Sequence, residues 1–589
     1  MFSRRARLAL TSVAACQFAL LFGLSWARYA SVHQRTFDLA LYARIAWGLA
    51  HGELWAPVLN ASALGCHIAP VLLPLGLLGR LFGTVPVLLF AQSLAVALTL
   101  FPIARIGARR LGTRGIWLSA AAFLLYPNLF HVGTYEFHPG TLAVLPMAWG
   151  FDALDRARVK PLLWSALGVL ACREDLGAFA IVLALVYYLQ QRDKRALYLA
   201  GAVTAYTALA LVVVSKFAPH AGSLDAHFAQ WGGSPLGVLT TLLREPSRVV
   251  EHFRARAMYL PQVLAPLSFF SLRAPHLLLP ALPYLLLNML SAFPTADEQY
   301  SHYLTAAVPA LIVSGIVGVT EVRKRFLQWL WLITLGIAHV ALGGSPLSRD
   351  FDRRAFFADD ATAASHSELA RIPAGASVQA PDALLPHLVE RHDVRRAPPP
   401  EAGSDFTVLD VSHRLKFAHA ELLLRTSEEP LLRSWLARTD QALIVYAPPY
   451  ALFQKGASPR SGVAAQCLQT AASASEHPIT ECLSFSSARL SGRQLTLTLR
   501  ASGACPADLA LRFGADAMPA RVELLCGGTL SPSLLRSGDV VRFDYQVSAR
   551  EAEALRARGL FLGAMRANGA PVHAGDRAAV AVELSKEDP

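Results

Sequence analysis

Acidic residues and histidines stand at the edges of segments too apolar to lie in water: Asp38 in RTFDLALYARIAWGLAHGE, His67 in LGCHIAPVLLPL, Glu136 and His138 in TYEFHPGTL, and the triplet Arg173-Glu174-Asp175 in GVLACREDLGAF. Ionisable groups at a membrane boundary are costly unless paired or hydrated, so such a set marks a functional site by default. Asp38 follows the first apolar run and opens an amphipathic pattern. It suits a helix cap, or a carboxylate that deprotonates an acceptor hydroxyl or holds a divalent cation. In an extended chain, Glu136 and His138 project the same way, as metal ligands or an acid and base pair would, although a polar turn ended by Pro139 accounts for them equally. Arg173 suits a lipid-linked phosphate, with Glu174 and Asp175 beside a neutralising cation such as Mg²⁺ or Mn²⁺. His67, Lys216 and His302 are added as substrate-binding candidates, all expected on one face.

The segments that must position these groups make a polytopic membrane protein. Of 589 residues, 54% are hydrophobic and 16% charged, and mean hydropathy is +0.38. That charged share is well below the roughly 25% of soluble domains. The formal charge of +12 comes as short basic runs between apolar segments, without interleaved base-stacking aromatics, which excludes a nucleic-acid partner. By the positive-inside rule, the runs at Arg4–Arg7, Arg105–Arg114, Arg156–Lys160, Arg192–Arg195, Arg273 and 323–325 mark cytoplasmic turns. Apolar stretches between them give about eleven crossings, with a cytoplasmic amino terminus and an extracytoplasmic tail. The first run exceeds the usual length of a cleaved signal and reads as a span. Residues 68 to 82 are too short to cross and read as an interfacial or re-entrant helix; residues 161 to 190 read as two short helices with the triplet at their turn.

Three regions are expected: a transmembrane domain over 1–342, a periplasmic α/β domain over 343–460, and a β-rich, sandwich-like domain over 461–589. Helical patterns are expected around PDALLPHLVERH and RLKFAHAELLLRT. Cys467, Cys482, Cys505 and Cys526 read as two disulfides with three pairings open. The sequence carries no Walker loop, GxGxxG, HExxH or CxxC, so nucleotide-driven transport and zincin chemistry have no local support.

In order, FDLALYARIAWGLAHGE, HIAPVLLPLGLLGRLFG, YPNLFHVGTYEFHPG, LACREDLGAF and YSHYLTAAVP resemble the family of domain of unknown function 2079, polytopic membrane proteins, over about residues 30 to 455. That family is in turn similar to the C-type glycosyltransferases, which use polyprenyl-phosphate sugars. The resemblance implies that Asp38 is the catalytic base or a metal-linked acid and that Glu136 is a second acidic position. It also implies sugar transfer from a polyprenyl-phosphate donor, against membrane lipid, to a glycan, lipid or protein at the outer face of the inner membrane. The alternatives are a transporter or flippase, or a non-catalytic envelope protein.

Overall fold

The structure, a computed structural model, describes residues 2–34, 36–218, 227–233, 235–293, 296, 302–322, 324–358, 360–397, 403–410, 435, 438, 440–447, 450–457, 468–469, 477–506, 509–515, 521–525, 532, 535, 537–565, 571–572 and 579–585. Their contacts divide into two units, one helical (the described residues up to 358, with 382–395) and one strand-rich.

Among the described residues, four helical segments are long and apolar enough to cross a membrane: Arg4–Ala30, Thr84–Leu125, Lys194–Phe217 and Arg325–Leu342. The first, α1 (Arg4–Ala30), is capped by Ser3 and buries Ala6, Leu10, Ala14, Gln17, Leu21 and Ser25. That spacing makes a single stripe. Leu8, Leu20 and Trp26 face outward, as suits a helix bounded by lipid on one side.

After α1, the helix α2 (Asp38–Ala50) is almost entirely buried, whereas α3 (Leu72–Phe82) exposes Leu73, Leu77, Leu81 and Phe82. Eleven residues rise only about 16 Å, roughly half the hydrocarbon thickness. A Cβ on Gly76 would meet the Ala46 carbonyl oxygen at 2.0 Å, so its bare backbone lets α3 lie directly on α2.

The segment Thr84–Leu125 is a hairpin. Helix α4 (Thr84–Leu98) runs into α5 (Leu100–Leu125), whose course breaks at Leu111 (φ −133°, ψ 19°) and Gly112 (φ +57°, ψ −140°). Gly107 and Gly115 then come face to face, and a Cβ on either would lie 2.3 Å or less from the other's carbonyl oxygen. The basic run Arg105–Arg114 occupies this turn.

Next come α6 (Pro127–Thr134), α7 (Pro139–Leu142), α8 (Val144–Asp155), α9 (Val159–Cys172), α10 (Gly177–Gln191) and α11 (Lys194–Phe217). The charged triplet separates α9 from α10: Arg173 is extended (φ −159°, ψ 141°) and a short 3₁₀ turn follows it. The apolar stretches at 257–272 and 274–293 differ from the unbroken spans expected, forming short turns such as Tyr259–Leu264, Phe270–Arg273 and Leu282–Leu290. Pro261, Pro266, Pro275, Pro280 and Pro283 remove helical N–H donors there. Val308–Thr320, with twelve of its thirteen residues buried, is a core helix, and the turn His302–Leu304 leads into it.

Part of the tail belongs to the helical unit. PDALLPHLVERH forms only a 3₁₀ turn, Leu385–His387, and stretch 382–395 lies against the end of α1 and the start of α4. His387 stacks on Tyr29 at 4.2 Å, and Glu390 accepts the Thr84 N–H at 2.6 Å. RLKFAHAELLLRT lies outside the described residues.

In the strand-rich unit, Val378–Ala380 pairs parallel to Phe406–Asp410, and Phe406–Asp410 pairs antiparallel to Tyr450–Lys455, which Gln441–Ala447 extends. Farther on, two sheets cover a common core that includes Leu495, Leu497, Leu499, Leu511, Phe513, Leu560 and Leu562. The hairpin Leu483–Ser491 and Gln494–Ala501 turns at Gly492 (φ +57°) and buries alternate residues of its second strand. Cys482 and Cys505 form a disulfide across 23 residues; Cys467 and Cys526 lie outside the described residues.

Candidate functional site

The chain leaves α1 at Ala30 and re-enters helix at Asp38, so the first turn of α2 presents amide groups that need acceptors. A carboxylate from a distant loop supplies them. Glu136, 5% exposed, accepts the Thr36 N–H through Oε1 at 2.5 Å and the Leu39 N–H through Oε2 at 3.2 Å. Glu136, rather than Asp38, therefore neutralises this helix start. Asp38 is the first residue of the helix, with Oδ2 accepting from the Thr36 hydroxyl at 3.2 Å.

Gln92 of α4 holds the Glu136 loop. Its amide donates to the Glu136 carbonyl at 2.6 Å, and its oxygen accepts the His138 N–H at 2.9 Å. This fixes His138 with Nε2 3.4 Å from Asp38 Oδ2. The His138 ring stacks on His302 at 4.0 Å between centroids and 17° between planes. Asp38, His138 and His302 each offer one ligating atom within 4.8 Å of the others. These residues come from the start of α2, the α6–α7 loop and the turn before Val308–Thr320.

A second group lies around the triplet. Glu174, 1% exposed, meets His67 Nδ1 at 2.8 Å and accepts the Ile68 N–H at 2.8 Å, tying the loop before α3 to the α9–α10 break. Arg173 forks onto Asp175: Nε donates to Oδ1 at 2.9 Å and Nη2 donates to Oδ2. The Tyr284 hydroxyl donates to the Asp175 carbonyl at 2.9 Å. His67, Glu174 and Asp175 form the second set of possible ligands within 4.8 Å.

Tyr42, one helical turn after Asp38, stands between the groups. Its ring meets His138 edge-on at 5.0 Å, and Cys66, beside His67, shares its electrostatic environment. The charge of Arg173 acts on Tyr42, His138 and His302, so the two groups share one electrostatic environment.

Burial opposes charge on all these groups. It pushes Glu136 up to about 7, with the Asp38 charge adding and the two amide bonds opposing. Burial would raise Asp38 as well, but the His138 and His302 imidazoles and the Thr36 hydroxyl hold it at about 2. Burial lowers His138 and takes His302 well below its ordinary value. Burial thus works against charge on both imidazoles, while their proximity and the Thr36 hydroxyl favour the Asp38 carboxylate.

Of the residues singled out in the sequence, Asp38, His138 and His302 meet in one group and His67, Arg173, Glu174 and Asp175 in the next, while Glu136 supports the first through backbone amides. Lys216 is exposed on the last turn of α11 and belongs to neither group. Sequence reasoning missed Gln92, Tyr42, Tyr284 and Thr36. Gln92 carried a signal, being an amide alone in the apolar run VPVLLFAQSLAVALTL; the others look like ordinary interface residues.

Arg44 was also missed. It is 1% exposed on α2, and Nη2 donates to Glu53 Oε2 at 2.6 Å and to the His392 carbonyl at 2.9 Å.

A family model described as predicted membrane protein (DUF2079) matches residues 28–408, a span that contains every residue of both groups. No curated protein matches the chain.

Proposed function

Because the chain belongs to the DUF2079 family of predicted membrane proteins, we propose from its site that it is a membrane glycosyltransferase, moving a sugar from a polyprenyl-phosphate donor to an acceptor hydroxyl at the outer face of the inner membrane. What supports this reading is that a carboxylate, Asp38, and a guanidinium, Arg173, stand in two neighbouring groups with Tyr42 between them, Arg173 being forked onto Asp175. Asp38 takes the proton from the acceptor hydroxyl as its oxygen bonds to the anomeric carbon of the donor sugar. The bond from that carbon to the phosphate oxygen breaks, and the departing phosphate takes the electron pair. Arg173 has five N–H donors, of which Asp175 engages two, leaving others for the phosphate.

Sidedness is supported by a second cluster of charges. Asp152 and Asp155, in the last turn of α8, are ringed by Arg105, Arg109, Arg110 and Arg156. The twelve residues of α8 separate that basic turn from the His138 loop by about 18 Å. With the basic turn read as cytoplasmic by the positive-inside rule, this separation supports an opposite, outer position for the Asp38 groups. About eleven crossings, a periplasmic tail over 343–589 that helps to bind the acceptor, and a divalent cation at the site are part of the same proposal.

The experiment is incubation of purified full-length protein with a panel of radiolabelled polyprenyl-phosphate sugars and membrane acceptors. Asp38→Asn is expected to abolish transfer while leaving the size-exclusion profile and thermal midpoint unchanged. Transfer by Asp38→Asn at the wild-type rate would remove Asp38 from the chemistry. Transport of the donor without bond cleavage would favour a flippase instead.

A further inference from the structure

We infer that Asp38, His138 and His302 form a binding site for a first-row transition cation of the Zn²⁺ type, distinct from the oxygen-only coordination that Mg²⁺ takes. Three observations carry it. First, the contact between Asp38 Oδ2 and His138 Nε2 is 3.4 Å. Ligand arms of about 2.0 to 2.1 Å in a tetrahedron set its edges at about 3.3 to 3.4 Å, so this pair already stands at ligand spacing. The third ligand atom, on His302, lies within 4.8 Å of both; because an imidazole lone pair lies in the ring plane, the stacked His302 ring must turn out of parallel with His138 to join the other two.

Second, His138 is 7% exposed and its Nε2 has only the Asp38 carboxylate at 3.4 Å, while its Nδ1 and Nδ1 of His302 are buried without a hydrogen bond among the described residues. Leaving a buried polar atom without a partner costs about 1–3 kcal/mol. A metal ion would take up the one lone pair that each neutral imidazole carries and so give it a partner. Two protonated rings stacked at 4.0 Å would repel, whereas two neutral rings sharing an ion would not.

Third, the ligands have outer support. Thr36 donates to Asp38 Oδ2, and Gln92 holds the backbone of His138. Such partners fix the orientation of a metal ligand and raise its affinity.

Two imidazoles and one carboxylate make a donor set suited to zinc, iron, cobalt or nickel, while magnesium prefers carboxylate, carbonyl and water oxygens. Three protein ligands leave at least one position open, as in catalytic rather than structural zinc sites. Ligation through Oδ2 leaves Oδ1 of Asp38 for the acceptor proton. The open position would take a phosphate oxygen of the donor, a last step that rests on the glycosyltransferase reading; the metal site itself does not.

The test uses full-length protein purified in detergent without chelator, then stripped and titrated with Zn²⁺ or Co²⁺ and no sugar donor. About one equivalent per chain is expected, with a visible absorption band on Co²⁺ loading and a rise in thermal midpoint on Zn²⁺ addition. His138→Ala, His302→Ala and Asp38→Asn should each lose the Co²⁺ band and at least tenfold in affinity. His51→Ala, on the surface, should lose neither. Among the ligand variants His302→Ala disturbs packing least, because its side chain is the more exposed of the two imidazoles, and its unchanged size-exclusion profile shows that lost binding is not lost folding. Equal Co²⁺ binding by wild type and His302→Ala, or Mg²⁺ displacing Zn²⁺ at equal concentration, would overturn the site. Transfer that survives complete stripping but is lost in Asp38→Asn would overturn the metal's part in the reaction while keeping the enzyme. Metal binding without any transfer would do the reverse.

Discussion

Replacing Glu53 gives a direct measure of what holds α2 in place. Arg44 is among the largest fully buried side chains, and Glu53 is its carboxylate partner among the described residues, 2.6 Å from Nη2. Beyond that contact the guanidinium has the His392 carbonyl and the Trp47 ring, 4.9 Å from its centre, while Nε and Nη1 are buried without hydrogen bonds among the described residues. Removing one member of a buried ion pair strands the other charge and costs about 3–5 kcal/mol. Glu53→Ala is expected in that range. Glu53→Gln keeps an oxygen for Nη2 but not the countercharge, and is expected to cost about 2–3 kcal/mol. Arg44→Met combined with Glu53→Leu removes both charges and should recover most of the loss. The pH dependence has a defined sign. Burial would raise the Glu53 carboxyl, but the hydrogen bonds from Arg44 and His392 outweigh it and hold it below its ordinary value. Its contribution is therefore full above about pH 4.5 and falls away as pH drops through the lower native value. The assay is the apparent unfolding midpoint of detergent-purified protein from pH 3 to 8, followed by tryptophan fluorescence. A Glu53→Ala protein within about 0.5 kcal/mol of wild type at pH 7 would refute the account of Arg44 as a stranded charge.

Glu136→Ala should bare two buried amides at about 1–3 kcal/mol each and lower the thermal midpoint, whereas a purely catalytic Glu136 would leave it unmoved. Gly115→Leu should block the closure of the α5 hairpin, where even a Cβ lies 1.9 Å from the Gly107 carbonyl oxygen, and yield no monodisperse protein on size exclusion. Cys482→Ser should cost about 3 kcal/mol, read as a lowered denaturant midpoint of the strand-rich unit, because it frees a 23-residue loop.

The apolar helices were legible because burial and lipid impose a long hydrophobic run on anything that crosses a membrane. So was the break at Arg173-Glu174-Asp175: three charges in sequence cannot continue through an apolar helix without pairing, and the chain turns there. The short turns after Tyr259 were harder to read, since composition alone says apolar while five prolines decide the backbone. At the site, the residue types were readable but their partners were not. Glu136 and His138 have the same spacing whether they share a ligand or part company, and only the fold shows one turned to the α2 amides and the other to Asp38. His302 drew notice as one of several outer-face residues; its stacking on His138 depends on the turn before a core helix that begins at Val308, far along the chain, which local periodicity does not report.

The tail segment that rides on α1, α2 and α4 has a consequence for biogenesis. Arg44 finds its carbonyl acceptor 348 residues downstream, beyond Arg325–Leu342, the last membrane-length helix among the described residues. At about 5–20 residues per second, α2 must wait on the order of 20 to 70 s for that clasp, so the rim of the first loop is assembled last. A nascent chain arrested before residue 380 would hold its spans inserted and its first loop unlatched, the state in which quality-control proteases would find it.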